Sequence, residues 1–418
     1  MKRQFPALLA QLAAVLRPGS WDLKPAVFIA AGLYMVHILF QARTAMSESC
    51  AFLAFLFLAW AVGKGQLRAS FHILYYPLAL YGLTTVVSGL ASDTRHYGAG
   101  AIILVKALVF PTALILFREI PRLRTSAVIL HAAFATAIGM VGIGQFFLLD
   151  QRDLEHRIRG LSSHVMTYSG LLLPLSLLFL FLRFHHRRWW LALPAAVTTF
   201  ALLLTFTRSA WIGWAAALLL LLLAIRPRAV IAHAMPLLIL AVVFMPMPMF
   251  TRLVSTFDAR QSSNFDRIRM LQAGVEIIRD YPLLGVGPGN VKEVYPLYRL
   301  PDAPRFRVPH LHNNVVQIWA ERGFVAVLAY LLLLGLFLRE CLRHWRGENR
   351  AWAQAGVAIV IGLTTAGLFE FNFGDTEVFY LMLDLFALIV AMLEGEAPGA
   401  ARRMNGAADV FPAATMSS

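Results

Sequence analysis

The residues best suited to chemistry lie in one run, Pro309 to Gly323, which reads Pro-His-Leu-His-Asn-Asn-Val-Val-Gln-Ile-Trp-Ala-Glu-Arg-Gly. His312 can hold or release a proton near neutral pH, and His310 could do the same two residues earlier. A polar segment precedes the run, and an apolar segment, residues 324–338, follows it at once. The pattern predicts a proton-transfer site where a polar loop meets a membrane helix.

A metal site is the alternative use of two histidines at this spacing. Nothing in the spacing adds a third ligand to His310 and His312, and the chain contains no Asp-x-Asp motif. We therefore predict a site without metal and without a cofactor. Asn313 and Asn314 would orient His312 or its helix. Glu321 would do the same, more than two turns further along if the helix is continuous.

Several arginines could neutralise an anion. Arg208 lies between two apolar runs, where a charge is unfavourable unless it faces a cavity or a partner, or reaches the membrane surface by snorkelling. A second basic loop carries Arg157 and Arg159, in Arg-Ile-Arg-Gly-Leu-Ser-Ser-His. These positions predict a negatively charged ligand.

A third arginine lies near the start of a predicted helix. The capping residues Ser262-Ser263-Asn264 precede apolar residues at helical spacing, which predicts a helix over residues 265–280. Arg267 falls in its first turn, where a phosphate would find both the arginine and the helix N-terminus. The alternative is that Arg267 pairs with Asp266 or Asp280.

Composition places these residues in a membrane protein. Hydrophobic residues make up 59% of the 418 and charged residues 14%, against roughly 45–50% and about 25% in soluble domains. A spanning helix needs roughly 20 mostly apolar residues. About twelve runs qualify or nearly do so, which predicts an all-α polytopic membrane protein. The runs are 25–42, 48–63, 70–90, 99–117, 125–149, 166–183, 189–206, 210–225, 229–249, 323–342, 351–371 and 376–395.

The basic residues also orient the chain. With the N-terminus inside, every inside segment carries Lys or Arg, and an even number of spans makes both termini cytoplasmic. Two outside segments, 150–165 and 250–312, are basic as well, which indicates an anionic ligand on the outer face. The alternative is that a long loop is translocated across the membrane regardless of its charge. Because the net charge of +14 is dispersed among loops, anionic lipid or a phosphorylated substrate is expected rather than nucleic acid.

This pattern divides the chain into five segments. They are a cytoplasmic or interfacial segment 1–24, transmembrane helices 1–9 over 25–249, a periplasmic loop subdomain over 250–312, transmembrane helices 10–12 over 313–395, and a cytoplasmic tail 396–418.

Four motifs, in their order along the chain, resemble the O-antigen ligase and polymerase family. They are Thr205-Phe-Thr-Arg208-Ser-Ala-Trp, Asn264-Phe-Asp-Arg267, Pro282-Leu-Leu-Gly-Val-Gly-Pro-Gly-Asn290 and His312-Asn-Asn-Val-Val-Gln-Ile-Trp-Ala-Glu321-Arg-Gly323. The resemblance implies a GT-C-like multi-helix fold with a periplasmic helical loop. It also implies a metal-independent glycosyltransferase that uses glycans carried on undecaprenyl diphosphate.

The same resemblance implies catalytic roles for Arg208, Arg267 and His312. The chemistry agrees, because without a metal the arginines must stabilise the diphosphate as negative charge develops. A histidine is also a suitable base for the hydroxyl of an acceptor sugar. The further residues predicted to bind the diphosphate or the glycan are Arg157, Arg159, His310, Asn313 and Glu321.

We therefore expect an O-antigen ligase in the bacterial inner membrane, which joins a glycan to the lipid A–core of lipopolysaccharide at the periplasmic face. A polymerase, which differs in its acceptor, is the close alternative. A lipid-linked glycan flippase or transporter is the alternative from another class. It would favour inverted repeats and charges along a central path, and the sequence has neither.

Overall fold

A computed structural model of the protein describes residues 24–92, 98–149, 151, 156–186, 188–225, 250, 251, 254, 255, 258 and 260–395. The regular structure of these residues is helical, with no β-strand among them. Three predicted segments lie outside the described residues: the interfacial segment up to residue 23, the ninth span 229–249 and the tail 396–418.

The described residues form helices that we number α1 to α15 in chain order. They are Pro25–Leu39, Thr44–Gly63, Tyr75–Ala91, Gly98–Ala107, Val109–Glu119, Pro121–Leu148, Val165–His186, Ala192–Leu204, Arg208–Ile225, Ser262–Asp280, Val291–Tyr298, Asn314–Arg322, Phe324–Arg343, Arg350–Gly367 and Thr376–Glu394. Two 3₁₀ turns, Trp189–Leu191 and Asn372–Gly374, precede α8 and α15.

Helices coincide with eleven of the twelve predicted apolar runs, and the run 99–117 is divided at Leu108 between α4 and α5. Five of the described helices, α2, α6, α7, α13 and α15, are long and apolar enough to cross a membrane. The prediction of a helical membrane protein is confirmed. The number of twelve spans and the GT-C-like arrangement stay predictions.

The membrane bundle is built around α7 and α15. Their apolar stretches are 89% and 83% buried within the protein, against 28% for α2, which therefore lies at the periphery. Helix α7 packs on α8 and α14, and α15 packs on α5 and α7. Residues at the ends of α7 and α15 are consequently attached to the best-buried helices of the bundle, which suits a site that must be held in place.

Helices α10, α11 and α12 share a second, smaller hydrophobic cluster, which includes Met270, Val291 and Ala320. The glycine turn before α11 lies against α12, where Val286 N–H donates to the carbonyl of Ala320 at 2.8 Å. Gly285 has φ +67°, and a Cβ there would lie 2.3 Å from the carbonyl carbon of Glu321. Only glycine allows both this φ and this approach.

The predicted helix over 265–280 begins three residues earlier, at Ser262. The residue before it, Gln261, makes no side-chain cap hydrogen bond. Ser263 and Asn264 were expected to cap the helix, but their side-chain oxygens accept hydrogen bonds from Arg208. Because those oxygens have another donor, the two residues continue the helix instead of starting it.

Candidate active site

A polar cavity of about 510 Å³ lies where four helices begin. Its wall includes Thr167 in the first turn of α7, Arg208 as the first residue of α9, Ser263 in the first turn of α10 and Asp375 directly before α15. Arg267 also lines the cavity, but because α10 begins at Ser262 it lies in the second turn and not in the first turn as predicted. Helix N-termini carry partial positive charge and N–H groups without intrahelical partners, so their convergence favours an anion. Other residues on this wall are Arg157, His164, Asp266, Arg305, His310, His312 and Glu370.

His312 lies in the turn before α12 and is fixed on both sides. Its Nδ1 lies 3.0 Å from Oε2 of Glu370. The next residue, Asn313, caps α12: its Oδ1 accepts from Val316 N–H at 3.0 Å, and its Nδ2 donates to the carbonyl of Leu368 at 3.0 Å. His312 has φ +53°, a left-handed conformation that costs about 1–3 kcal/mol and persists where the surroundings enforce it.

Glu370 is the acidic centre of this cluster, and it is only 7% exposed. Its Oε1 lies 3.6 Å from Nε2 of His310, and its Oε2 lies 3.7 Å from Nη2 of Arg267. Burial alone would raise the pKa of Glu370, but the hydrogen bond with His312 and the charges of His312, His310 and Arg267 lower that pKa to about 2. Glu370 is therefore a carboxylate that orients His312.

His310 shares the carboxylate but differs from His312 in its surroundings. Burial lowers the pKa of His310 to about 4, because its charged form is poorly solvated there. The two rings are in edge contact, with centroids 4.3 Å apart. At neutral pH the His310 ring is consequently neutral.

Arg208 faces the cavity and also ties two helices together. It is 5% exposed, and its guanidinium donates to the carbonyl of Ser255 at 2.9 Å, to Oγ of Ser263 at 2.7 Å and to Oδ1 of Asn264 at 2.7 Å. These bonds attach the start of α9 to the start of α10. They also account for a buried charge between two apolar runs.

Arg267 pairs with neither of the two aspartates considered from the sequence. Asp266 pairs with Nε of Arg305 at 3.0 Å, and Asp280 accepts from the hydroxyl of Tyr298 at 2.5 Å. The partner of Arg267 is Glu370, across the cavity wall. Arg267 thus points to Glu370, the carboxylate that contacts His312 at the centre of the candidate site.

Among the other residues predicted to bind substrate, Arg157 and His310 line the cavity. Three others do not line it. Arg159 is exposed on the loop before α7, Asn313 is occupied as a helix cap, and Glu321 is buried beside Arg322, with Oε2 2.7 Å from Nη1. Glu321 therefore supports the joint between α12 and the bundle.

Asp375 also lines this cavity and was not identified from the sequence. Its Oδ2 accepts from the Thr167 hydroxyl at 2.5 Å, while Oδ1 is buried and finds no hydrogen-bond partner within the described part of the chain. Burial and the neighbouring carboxylate of Glu377 raise the pKa of Asp375 to about 7. The cavity is thus lined by arginines and also by a carboxyl group that can be protonated.

A second cavity of about 260 Å³ adjoins the first, and Arg208, Arg267 and His312 line both. Its remaining wall is mainly apolar and consists of Ser209, Ile212, Asn264, Ile268, Leu271, Leu368 and Phe369. A ligand with a charged head and a hydrocarbon chain would find matching surfaces in the two cavities.

The histidine cluster also has the composition of a metal site. One ligand atom each from His310, His312 and Glu370 lies within 4.8 Å of the others. Glu370, the third ligand, could not be predicted from residue spacing, because it follows His312 by 58 residues and approaches it only in the folded chain. Its one signal in the sequence was an acid near the end of the predicted span 351–371, where a charge is expected to have a partner.

The fold and the cavity define a class: a multi-helix membrane protein with a buried arginine–histidine site. Within that class, residues 193–331 match the family model described as O-Antigen ligase. The match confirms the family resemblance of the motifs and identifies these residues as an O-antigen ligase family region. It includes Arg208, Arg267 and His312, whereas Glu370 lies beyond it. Comparison with curated proteins gives no match.

Proposed function

We propose that this protein is an inverting, metal-independent glycosyltransferase that moves O-antigen glycan from undecaprenyl diphosphate to the lipid A–core of lipopolysaccharide. The observation that carries the proposal is the convergence of Arg208, Arg267 and His312 on one cavity. The match to the O-antigen ligase family supports activity of the ligase or polymerase type.

The donor's diphosphate would lie at the arginines of the cavity wall. There Arg157, Arg208 and Arg267 line the cavity, and Arg208 is the first residue of α9. Fixed cations and helix ends stabilise the charge that develops on a departing diphosphate without moving during the reaction. The polyprenyl chain would extend along the adjoining apolar cavity.

His312 would act as the general base. With Nδ1–H donating to Glu370, its Nε2 carries the lone pair and can accept the proton of an acceptor hydroxyl. The hydroxyl oxygen then attacks the anomeric carbon as the bond from that carbon to the phosphate oxygen breaks. Undecaprenyl diphosphate leaves, and a single displacement inverts the anomeric configuration. Residues of this chain supply the base and the charge stabilisation in every step.

The site would face the periplasm, in the inner membrane of a bacterium, with both termini in the cytoplasm. The Lys and Arg residues of the inside segments support this orientation. The basic outer segments 150–165 and 250–312 are exceptions to the rule, and an anionic donor on the outer face would explain them. In this arrangement residues 250–312 are the periplasmic subdomain between the two groups of transmembrane helices, and the helices form a GT-C-like bundle.

A reconstituted transfer assay tests the proposal. Purified protein receives a defined undecaprenyl-diphosphate-linked glycan together with either lipid A–core or a second lipid-linked repeat unit. Transfer to lipid A–core supports the ligase, and transfer to the repeat unit alone would make the protein a polymerase. Donor that crosses the bilayer without transfer to either acceptor would replace the enzyme proposal with a transporter.

A further inference from the structure

We infer that His310, His312 and Glu370 form a site for a zinc-like transition-metal ion, and that occupation of this site inhibits the enzyme. Binding of the ion follows from the geometry of the three side chains. Its inhibitory effect rests on the proposed function, because it requires His312 to be the base.

The distances between the side chains suit direct ligation. Nδ1 of His312 lies 3.0 Å from Oε2 of Glu370, and Nε2 of His310 lies 3.6 Å from Oε1. Two ligand atoms bound tetrahedrally to zinc at 2.0–2.1 Å are about 3.3 Å apart. The two distances above end on different oxygens of Glu370, and one ligand atom from each of the three residues lies within 4.8 Å of the others. A small shift of the side chains would therefore place an ion among three donors, with the fourth position open to the cavity.

The ligand types select the class of metal. Two imidazoles and one carboxylate are typical ligands of zinc and of related divalent transition metals. Magnesium prefers an octahedral shell of oxygen ligands, which this cluster does not offer. Zinc and related divalent transition metals are thus the expected ions, and magnesium is the negative control.

The surroundings make binding reversible. Arg267 lies 3.7 Å from the carboxylate and repels a cation. Arg305, another arginine of the cavity wall, is paired with Asp266. The side chains of His310 and His312 are 27% and 14% exposed, so an ion can enter from the cavity. The repulsion by Arg267 and the access from the cavity together favour an ion that binds reversibly when it is available. They do not favour a permanent structural ion.

A bound ion would disable His312 as a base. It would replace the hydrogen bond between Nδ1 and Glu370 that fixes the ring. Ligation through Nδ1 uses the lone pair of that nitrogen, so the ring proton that Nδ1 carried moves to Nε2. Nε2 then has no free lone pair and cannot accept the proton of an acceptor hydroxyl. Donor binding at Arg208 would be affected less, because Arg208 is not a ligand.

Calorimetric titration of the purified full-length chain with zinc chloride tests binding without any assay of activity. We expect one ion per chain, with affinity on the order of micromolar. His310→Ala and Glu370→Gln should each weaken binding by at least about tenfold, the lower limit seen when even indirect supports of a metal are lost. The matched control is His344→Ala, because His344 lies 3.6 Å from Glu340 but has no third ligand among the described residues.

Thermal melting provides a check on folding. Zinc should raise the melting temperature of the wild-type protein and of His344→Ala, and should raise that of His310→Ala by less at the same zinc concentration. Absence of zinc binding, or binding that survives both His310→Ala and Glu370→Gln, would overturn the site.

Transfer measured in chelator, in zinc and in magnesium tests the inhibition. Activity should be highest in chelator, fall as zinc occupies the site and remain unchanged in magnesium. Zinc bound at these residues with unchanged transfer would overturn the inhibitory effect. If zinc binds at the site and transfer occurs under no condition, the proposed function fails while the metal site stands.

Discussion

Arg208 and Arg267 line the same cavity, but the protein holds them differently. Arg208 donates to several residues at and before the start of α10, whereas Arg267 forms an ion pair with Glu370. If both contact the diphosphate, Arg208→Ala and Arg267→Ala should each lower transfer on the order of 10²–10³. Lysine at either position should restore transfer only in part, because it lacks the planar fork of arginine.

Stability separates the two roles. Arg208→Ala should also lower the melting temperature, because it leaves buried acceptors without a donor. Arg267→Ala should change stability less. Transfer rates and melting curves of both variants, measured on the same preparations, check the prediction. Near-normal transfer by both alanine variants at normal expression would contradict the diphosphate clamp.

Asp375 predicts a pH dependence of stability. Its folded pKa of about 7 lies above the unfolded value of about 3.9, so the folded protein retains a proton that the unfolded chain releases. The folded state therefore loses stability as pH rises from about 4 to about 7, and the loss is constant above that window. Asp375→Asn cannot ionise and should not show this loss.

The measurement is the melting temperature of the wild type and Asp375→Asn between pH 5 and pH 8. The melting temperature of the variant should rise relative to that of the wild type as pH rises, because other titrating groups affect both proteins alike. Parallel curves would show that Asp375 is ionised in the folded protein throughout this range.

At the scale of elements, the turn from Gly285 to Gly289 attaches the segment carrying α10 and α11 to α12. A Cβ at Gly285 would lie 2.3 Å from backbone atoms of Glu321, whereas one at Gly289 would meet nothing within 4 Å. Both glycines have positive φ, so alanine at either costs roughly 1–2 kcal/mol in conformation. Gly285→Ala should destabilise the protein beyond that amount.

Gly289→Ala is therefore the matched control for Gly285→Ala. Thermal melting should show a larger decrease for Gly285→Ala, and transfer should fall with it, because α12 carries the cap that holds His312. Equal decreases for the two variants would mean that the turn can move away from α12 without cost.

The elements also show what the sequence can predict. Apolar runs and helical spacing predict α10 and most membrane helices, since both signals are local. The motifs also pointed to Arg208, Arg267 and His312 as one site. They could not reveal Glu370 or Asp375, because the roles of these residues depend on contacts with His312 and Thr167, which lie 58 and 208 residues away in the chain. Glu321 was assigned to substrate for the converse reason: its proximity to His312 in sequence conceals its burial beside Arg322.

At the scale of the whole molecule, the orientation in the membrane decides which substrates can reach the cavity. A cysteine introduced at the exposed Ser262 should react with a membrane-impermeant maleimide added from the periplasmic side, and one at Ser418 should not. The background should lack Cys50 and Cys341. Labelling of Ser418→Cys alone would reverse the topology and move the cavity to the cytoplasmic face.

The account of the whole enzyme depends on His312 as the base, and one variant tests it most directly. Donor binding and transfer are both measured on His312→Ala, with His310→Ala for comparison. We predict that His312→Ala binds the lipid-linked donor like the wild type and loses transfer by about 10²–10⁴, and that His310→Ala loses less. A His312→Ala protein that loses donor affinity but keeps its turnover would contradict the account, since His312 would then be a diphosphate ligand and not the base.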